Sequence, residues 1–291
     1  MPRARLTRSL ALCVALAAAP LAVVACSGPP AAPAMPVGLT VGIQQGRLDV
    51  VGGRLVVRFE NTGEAPVTID GFTVETPTLA PGLERTKPFE LMPDDAIAIR
   101  LDLPASICDA EPGPVVVDLT FATAAGHGEG RLNADDPFDT VARVNAADCL
   151  GESVAEVAAI RMPGHLRSTG TGAERRAFID VGIEPAASGD GSMRIERVYG
   201  TTLLNAEDGI DWTLGTDVAA GDAPFTISLP VRPARCDAHA IADDKRGTIL
   251  PFEIETNDGR SGRLDVPASD GLKAELYAYY GERCGLEAPP G

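Results

Sequence analysis

The sequence predicts an all-β chain of two tandem antiparallel β-sandwich domains that arise from an internal duplication. Three observations carry this. Apolar and polar residues alternate over short runs, as half-buried strands require. Turn-forming stretches such as Asn61-Thr62-Gly63, Asp190-Gly191 and Asn257-Asp258-Gly259 separate these runs at sandwich-like intervals, and no stretch sustains a long 3.6-residue period. Residues 103–132 and 229–264 repeat one another.

The N-terminus reads as an export signal. Arg3, Arg5 and Arg8 precede an apolar run from Leu10 to Ala25, a basic n-region followed by an h-region, so residues 1–25 are assigned to a signal peptide. The run is shorter than the ~20 residues a helix needs to cross a bilayer. It ends in Val23-Val24-Ala25-Cys26, which resembles the lipobox of bacterial lipoproteins. The resemblance implies cleavage before Cys26, a diacylglycerol thioether on its sulfur, and a mature chain anchored at the extracytoplasmic face of a bacterial cell membrane. Residues 26–37 hold Pro29, Pro30, Pro33 and Pro36 and read as an extended tether. At ~3.1 Å per residue it would span about 35 Å.

Domain 1 is placed at 38–150 and domain 2 at 151–287, each near the ordinary single-domain size. In domain 1, Ile97, Ile99, Leu101 and Leu103 share one strand face, and Val115, Val117, Leu119 and Phe121 share another. In domain 2 the matching faces are Phe225, Ile227, Leu229 and Val231, then Leu250, Phe252 and Ile254. Pro251, on the outer face of its strand, predicts a sheet edge. Residues 54–75, RLVVRFENTGEAPVTIDGFTVE, are similar to the strand, Asn-x-Gly turn and strand of immunoglobulin-like domains in bacterial envelope proteins. The resemblance covers one hairpin and implies immunoglobulin-like sandwiches.

The repeat also orders the cysteines. Each copy runs Leu-Pro, Cys-Asp-Ala, an apolar strand ending in Phe, and Gly-Arg-Leu, followed by a second Cys. An even cysteine count in an exported chain predicts disulfides. The matched spacing assigns Cys108 to Cys149 and Cys236 to Cys284.

Charge narrows the partners. The chain has 25 Lys and Arg against 41 Asp and Glu, a net charge of −16, and loss of the leader with its three arginines takes the net charge to −19. Nucleic acid and anionic lipid headgroups are excluded as favourable partners. The membrane is reached through the lipid, and the remaining expected partner is a protein of the envelope; no small-molecule ligand is specified.

The densest chemistry lies in RCDAHAIADDKRG, residues 235–247. Asp237, His239, Asp243 and Asp244 are candidate ligands for a divalent metal, yet neither His-x-x-x-His nor Cys-x-x-Cys spacing is present. The acidic runs 133–139 and 205–211 lack the order of an EF-hand loop. The expectation is a solvated, disulfide-tethered loop with no cofactor. There is no Gly-x-Ser-x-Gly elbow, no Gly-rich phosphate loop and no spare thiol, so no catalytic activity is expected. For binding, LKAELYAYY, residues 272–280, reads as a last strand with Tyr277 and Tyr279 exposed on one face, a candidate protein-binding pair. The sequence therefore predicts a lipid-anchored binding or scaffold protein. The alternatives are a solute-binding component of a transporter and a metal-binding envelope protein.

Overall fold

A computed structural model describes residues 33–242, 244 and 246–286. The signal peptide, Cys26 and the tether up to residue 32 lie outside the described residues, as do Asp243 and Lys245. The protein is predominantly β, built from several antiparallel sheets that do not close into barrels.

The first half contains β1 (Leu39–Gln44), α1 (Arg47–Val51), β2 (Arg54–Asn61), β3 (Val67–Glu75), β4 (Glu84–Arg85), β5 (Phe89–Leu91), β6 (Ala96–Asp102), β7 (Val116–Thr123) and β8 (Gly126–Asn133). One sheet has the order β1-β2-β6; the other has the order β4-β3-β7-β8, with β5 also on β3. Alternation does what the sequence predicts: Leu55, Val57, Phe59, Val117, Leu119 and Phe121 are buried between the sheets. Phe59, Phe72 and Phe89 meet at tilted and edge-on angles with centroids 4.9 to 6.4 Å apart. Beyond β8 the chain turns onto β1, where Ile43 N–H donates to Asp135 O (2.7 Å) and Asp135 N–H to Val41 O (2.9 Å).

The expected tether ends early. Met35 packs against the first core, beside Gly130, and Pro33 O lies beside Gly128. A side chain at 128 would strike the Phe121 ring, its Cβ 2.7 Å from Cζ. The Gly-x-Gly-x-Gly pattern of β8 thus leaves a slot for the chain, so residues 33–37 belong to the folded body and not to the tether.

α2 (Thr140–Val157) corrects the reading that no long helix is present. Val141 and Val144 face the first core, while Leu150, Val154 and Val157 face the second. Alanines between them blur the helical period. The Asp136 carboxylate caps the helix by accepting from Thr140 N–H (2.8 Å) and Val141 N–H (3.0 Å). The expected junction at 150/151 lies within this continuous helix, not in a linker.

The second half comprises β9 (Ala158–Arg161), β10 (Arg167–Thr169), a 3-10 turn at Gly172–Glu174, β11 (Arg176–Pro185), β12 (Ser192–Val198), β13 (Leu204–Ala206), β14 (Trp212–Ala219), β15 (Phe225–Pro233), α3 (Ala238–Ala242), β16 (Ile249–Thr256), β17 (Ser261–Pro267) and α4 (Asp270–Arg283). Its sheets have the orders β10-β11-β15-β13, with β9 also on β11, and β14-β12-β16-β17. The pairing β2-β6 is matched by β11-β15, and β3-β7-β8 by β12-β16-β17, each series followed by a helix. β16 is an interior strand, so Pro251 does not mark an edge: it pairs with Asp265 of β17 just beyond the last β12 contact, Phe252 with Val198. The Pro251 carbonyl still continues the ladder by accepting from Tyr199 N–H (2.9 Å), while the missing N–H leaves the return bond unmade.

α4 is the second correction, since residues 272–280 form a helix and not a strand. Leu272, Leu276, Tyr279 and Tyr280 fit a helical face, and the intervening alanines let the same run imitate alternation. The helix prevails because Leu, Ala, Lys and Glu favour it and because Ser269 caps it, accepting from Leu272 N–H (3.2 Å). Asp270 and Arg283 suit the two ends of the helix dipole.

Candidate functional site

The structure brings the 235–247 loop and α4 together, so residues that the sequence presents as separate candidates form one cluster. The loop leaves β15 at Pro233 and returns at β16. Cys236 is bonded to Cys284 at the C-cap of α4, and Cys108 to Cys149 within α2. These are the pairs the repeat assigns. Each fastens the loop between two strands to the helix that follows the next hairpin.

Three tyrosines of α4 reinforce the first of these links. Tyr277 Oη donates to Asp244 Oδ2 (2.7 Å). Tyr279 Oη donates to Val231 O (2.7 Å). Tyr280 Oη donates to Arg235 O and accepts from Asp237 N–H (3.2 Å). Tyr279 is fully buried and Tyr277 half-buried, which overturns the expectation of two exposed tyrosines on a strand face. Helical geometry turns these side chains toward the core and the loop, where a strand would have put both outward. Burial, then the Asp244 carboxylate, raises the Tyr277 phenol above its ordinary 10.0. Burial also raises that of Tyr279, against the opposing pull of Arg283.

The acidic side chains are occupied in the same way. Asp237 Oδ1 accepts from His239 N–H (2.9 Å) and faces the His239 ring (3.2 Å). That backbone bond first, and the ring second, hold the Asp237 carboxyl below 3.8. Asp244 Oδ1 accepts from Arg246 N–H (3.2 Å) and Gly247 N–H (2.5 Å). The His239 side chain is 88 % exposed and has no second acidic partner among the described residues. No three His, Cys, Asp or Glu side chains converge as a metal site among the described residues. Of the candidate ligands, Asp237 and Asp244 satisfy separate turns, and Asp243 lies outside the described residues.

Residues that the sequence reading missed complete the clamp. Arg283 Nη2 donates to Glu207 Oε1 (2.7 Å), and its Nη1 donates to Tyr279 Oη (2.9 Å) and Arg175 O (3.0 Å). Glu282 accepts from Gly172 N–H (2.6 Å) and from Arg175 Nη1 (2.5 Å); the first bond, then the second, lower its carboxyl. The four-residue spacing of Tyr279 and Arg283 is the signal that exposes this network, once the segment is read as a helix. Glu207 comes from one of the acidic runs considered for calcium and is spent here on Arg283 and Arg176.

A second clasp joins the two halves. Asp258, in the β16–β17 turn, accepts from Ser153 of α2 (2.7 Å) and from Thr256 (2.5 Å). Those hydroxyls, with lesser help from Arg260, lower its carboxyl to about 2. Arg260 Nη2 reaches Cys108 O (3.3 Å), so the hairpin of one half touches the disulfide loop of the other. Chemically, both clusters hold backbone in place. Their hydroxyls and carboxylates are engaged with one another within the protein.

No protein-family model and no curated protein matches the chain. Among solved structures it is similar to red sea bream transglutaminase, at 10 % identity over 80 % of this chain and 31 % of that one, with a TM-score of 0.26. It is also similar to the receptor tyrosine kinase Torso, at 8 % identity over 83 % and 77 % of the two chains with a TM-score of 0.22. A third likeness is to the BSP domain of a biofilm associated protein, at 8 % identity over 79 % and 56 % with a TM-score of 0.22. The chain thus spans about a third of the transglutaminase's length, and likenesses this slight carry neither fold nor function.

Proposed function

We propose that this chain is an exported, lipid-anchored protein of the bacterial envelope, in which two duplicated immunoglobulin-like sandwiches serve as a binding or scaffold module. The observation that carries the proposal is the matched placement of two disulfides, Cys108–Cys149 and Cys236–Cys284, in two halves of matching strand order. Such bridges persist in oxidising compartments, in accord with an export signal over residues 1–25 that is cleaved before Cys26. The strand order also supports the immunoglobulin-like reading, with antiparallel sheets of three and five strands in the first half and of five and four in the second.

Docking of Pro33–Val37 on the first half shortens the tether of this proposal to residues 26–32. At ~3.1 Å per residue that is about 22 Å, which holds the first domain close to the bilayer. The test is metabolic labelling of the full chain in a bacterial host with tritiated palmitate, with Cys26→Ser in parallel. The wild type takes up label and sediments with membranes, and Cys26→Ser does neither. Equal labelling of the two proteins, or an unlabelled wild type, overturns the anchor.

A further inference from the structure

We infer that β6 is an open docking edge that accepts an extended, basic-flanked strand from a protein partner. Backbone parity comes first. Asn61 N–H donates to Asp95 O (3.0 Å) and Leu103 N–H to Gly53 O (2.8 Å), so the odd residues of this segment bond to β2. In an antiparallel ladder the alternate residues then turn their backbone groups away. These are Ala96, Ala98, Arg100 and Asp102, whose N–H and C=O groups have no backbone partner among the described residues.

The other long edges are guarded, as sheet edges normally are. β1 is covered by Asp135, and β8 is flanked by Pro33 and Met35. β14 is interrupted by Gly215 at φ +60, and β17 lies under Leu150 and Gly151 of α2. The comparison with β15, the counterpart of β6, is the most telling. There Glu207 N–H takes Pro230 O (3.1 Å), β13 pairs the far end, and Pro230 removes an outward donor. In the Leu-Pro repeat the proline matching Pro230 is Pro104, two residues beyond the end of β6, so β6 itself carries no proline along its length.

The side chains define the occupant. Ile97 and Leu101 are only half-buried at the rim of the core, and Ala96 and Ala98 leave the outer face low. Alternate apolar residues of an added strand would complete this rim. Exposed Asp94 and Asp95 flank one end and exposed Asp102 the other, while the one cation on the strand, Arg100, is held by Asp49 (2.8 Å). Basic residues at both ends of the incoming strand match that charge. A second copy of this acidic chain would instead bring its own Asp102 next to Asp95.

This inference deepens the binding role proposed above and is independent of the lipid anchor. The experiment titrates full-length chain in detergent into a fluorescent Lys-Lys-Val-Thr-Val-Thr-Val-Lys-Lys peptide and follows anisotropy. Expected is saturable binding that falls about tenfold with Ala98→Pro, because that proline deletes an outward donor and no bond to β2. N-methylation of alternate peptide residues has the same effect, and Asp94→Asn with Asp95→Asn weakens binding several-fold. Hydrogen exchange on the wild type tests the edge without a variant: peptide slows exchange at Ala98, Arg100 and Asp102. No binding, undiminished binding by a folded Ala98→Pro protein, or protection confined to other strands overturns the proposal. A wild-type dimer that Ala98→Pro dissociates overturns it in favour of a second copy. Labelling of Cys26 reports separately on the anchor, so either reading can fail alone.

Discussion

The phenol of Tyr277 donates a 2.7 Å hydrogen bond to the carboxylate of Asp244, tying the last helix to the loop with the highest density of charge in the chain. Tyr277→Phe removes this bond and leaves Asp244 its two backbone donors, so the cost is about 1–2 kcal/mol. Urea unfolding measures it, and amide exchange at Arg246 and Gly247 rises in the same variant.

The tyrosines also set an alkaline limit. A group whose pKa is raised on folding contributes stability that is complete below its unfolded value and fades as pH climbs through the folded one. Tyr277 and Tyr279 both shift upward from 10.0, so stability falls above about pH 10. Absorbance at 295 nm, followed with unfolding by circular dichroism, checks whether their ionisation and loss of structure coincide.

At the acid end the sign reverses. Asp258 titrates near 2 in the folded protein against 3.8 for an ordinary aspartate, so its contribution is present above 3.8 and disappears as pH falls toward 2. Its side chain is 46 % exposed, and solvent screening keeps the contribution below ~1 kcal/mol. Carboxyl NMR places the midpoint near 2 in the wild type, and Ser153→Ala moves it upward by removing the leading donor.

The bridges close loops with sequence separations of 41 and 48 residues, so each contributes about 4 kcal/mol by restricting the unfolded chain. Cys236→Ser with Cys284→Ser lowers the melting temperature and opens trypsin cleavage at Arg235 and Arg246. The fragment pattern keeps residues 33–150 intact. Cleavage spread evenly over both halves would contradict this local role.

Gly128 and Gly130 separate packing from docking. Gly128→Ala forces Cβ into the buried Phe121 ring and costs about 1–3 kcal/mol. Gly130→Ala meets only the end of Met35, a flexible side chain, so stability changes little while Met35 is displaced. Limited proteolysis near residue 35, faster in Gly130→Ala, distinguishes the two.

The candidate site was partly legible in the sequence. Cys236 and Cys284 are linked by spacing alone, because their segment matches the one from Cys108 to Cys149 in residue order and length. Asp237 and Asp244 are visible as charge but not as partners, since nothing local says that Tyr280 N-terminal neighbours lie on a helix facing them. Reading 272–280 as a strand reversed the fate of Tyr277 and Tyr279. Alanine is the cause: it fits a period of 2 as readily as one of 3.6, so the pattern alone does not choose.

By itself the sequence determined the β class, the disulfide pairs and the acidic surface, because alternation, repeat spacing and charge are properties of the chain read locally or of one half laid against the other. Tertiary structure alone decided that α2 serves two cores, that Pro33–Val37 fill a glycine slot beside β8, and that α4 clamps the 235–247 loop. Those outcomes depend on which surfaces meet across long separations, and burial of a face is settled only when its partner arrives.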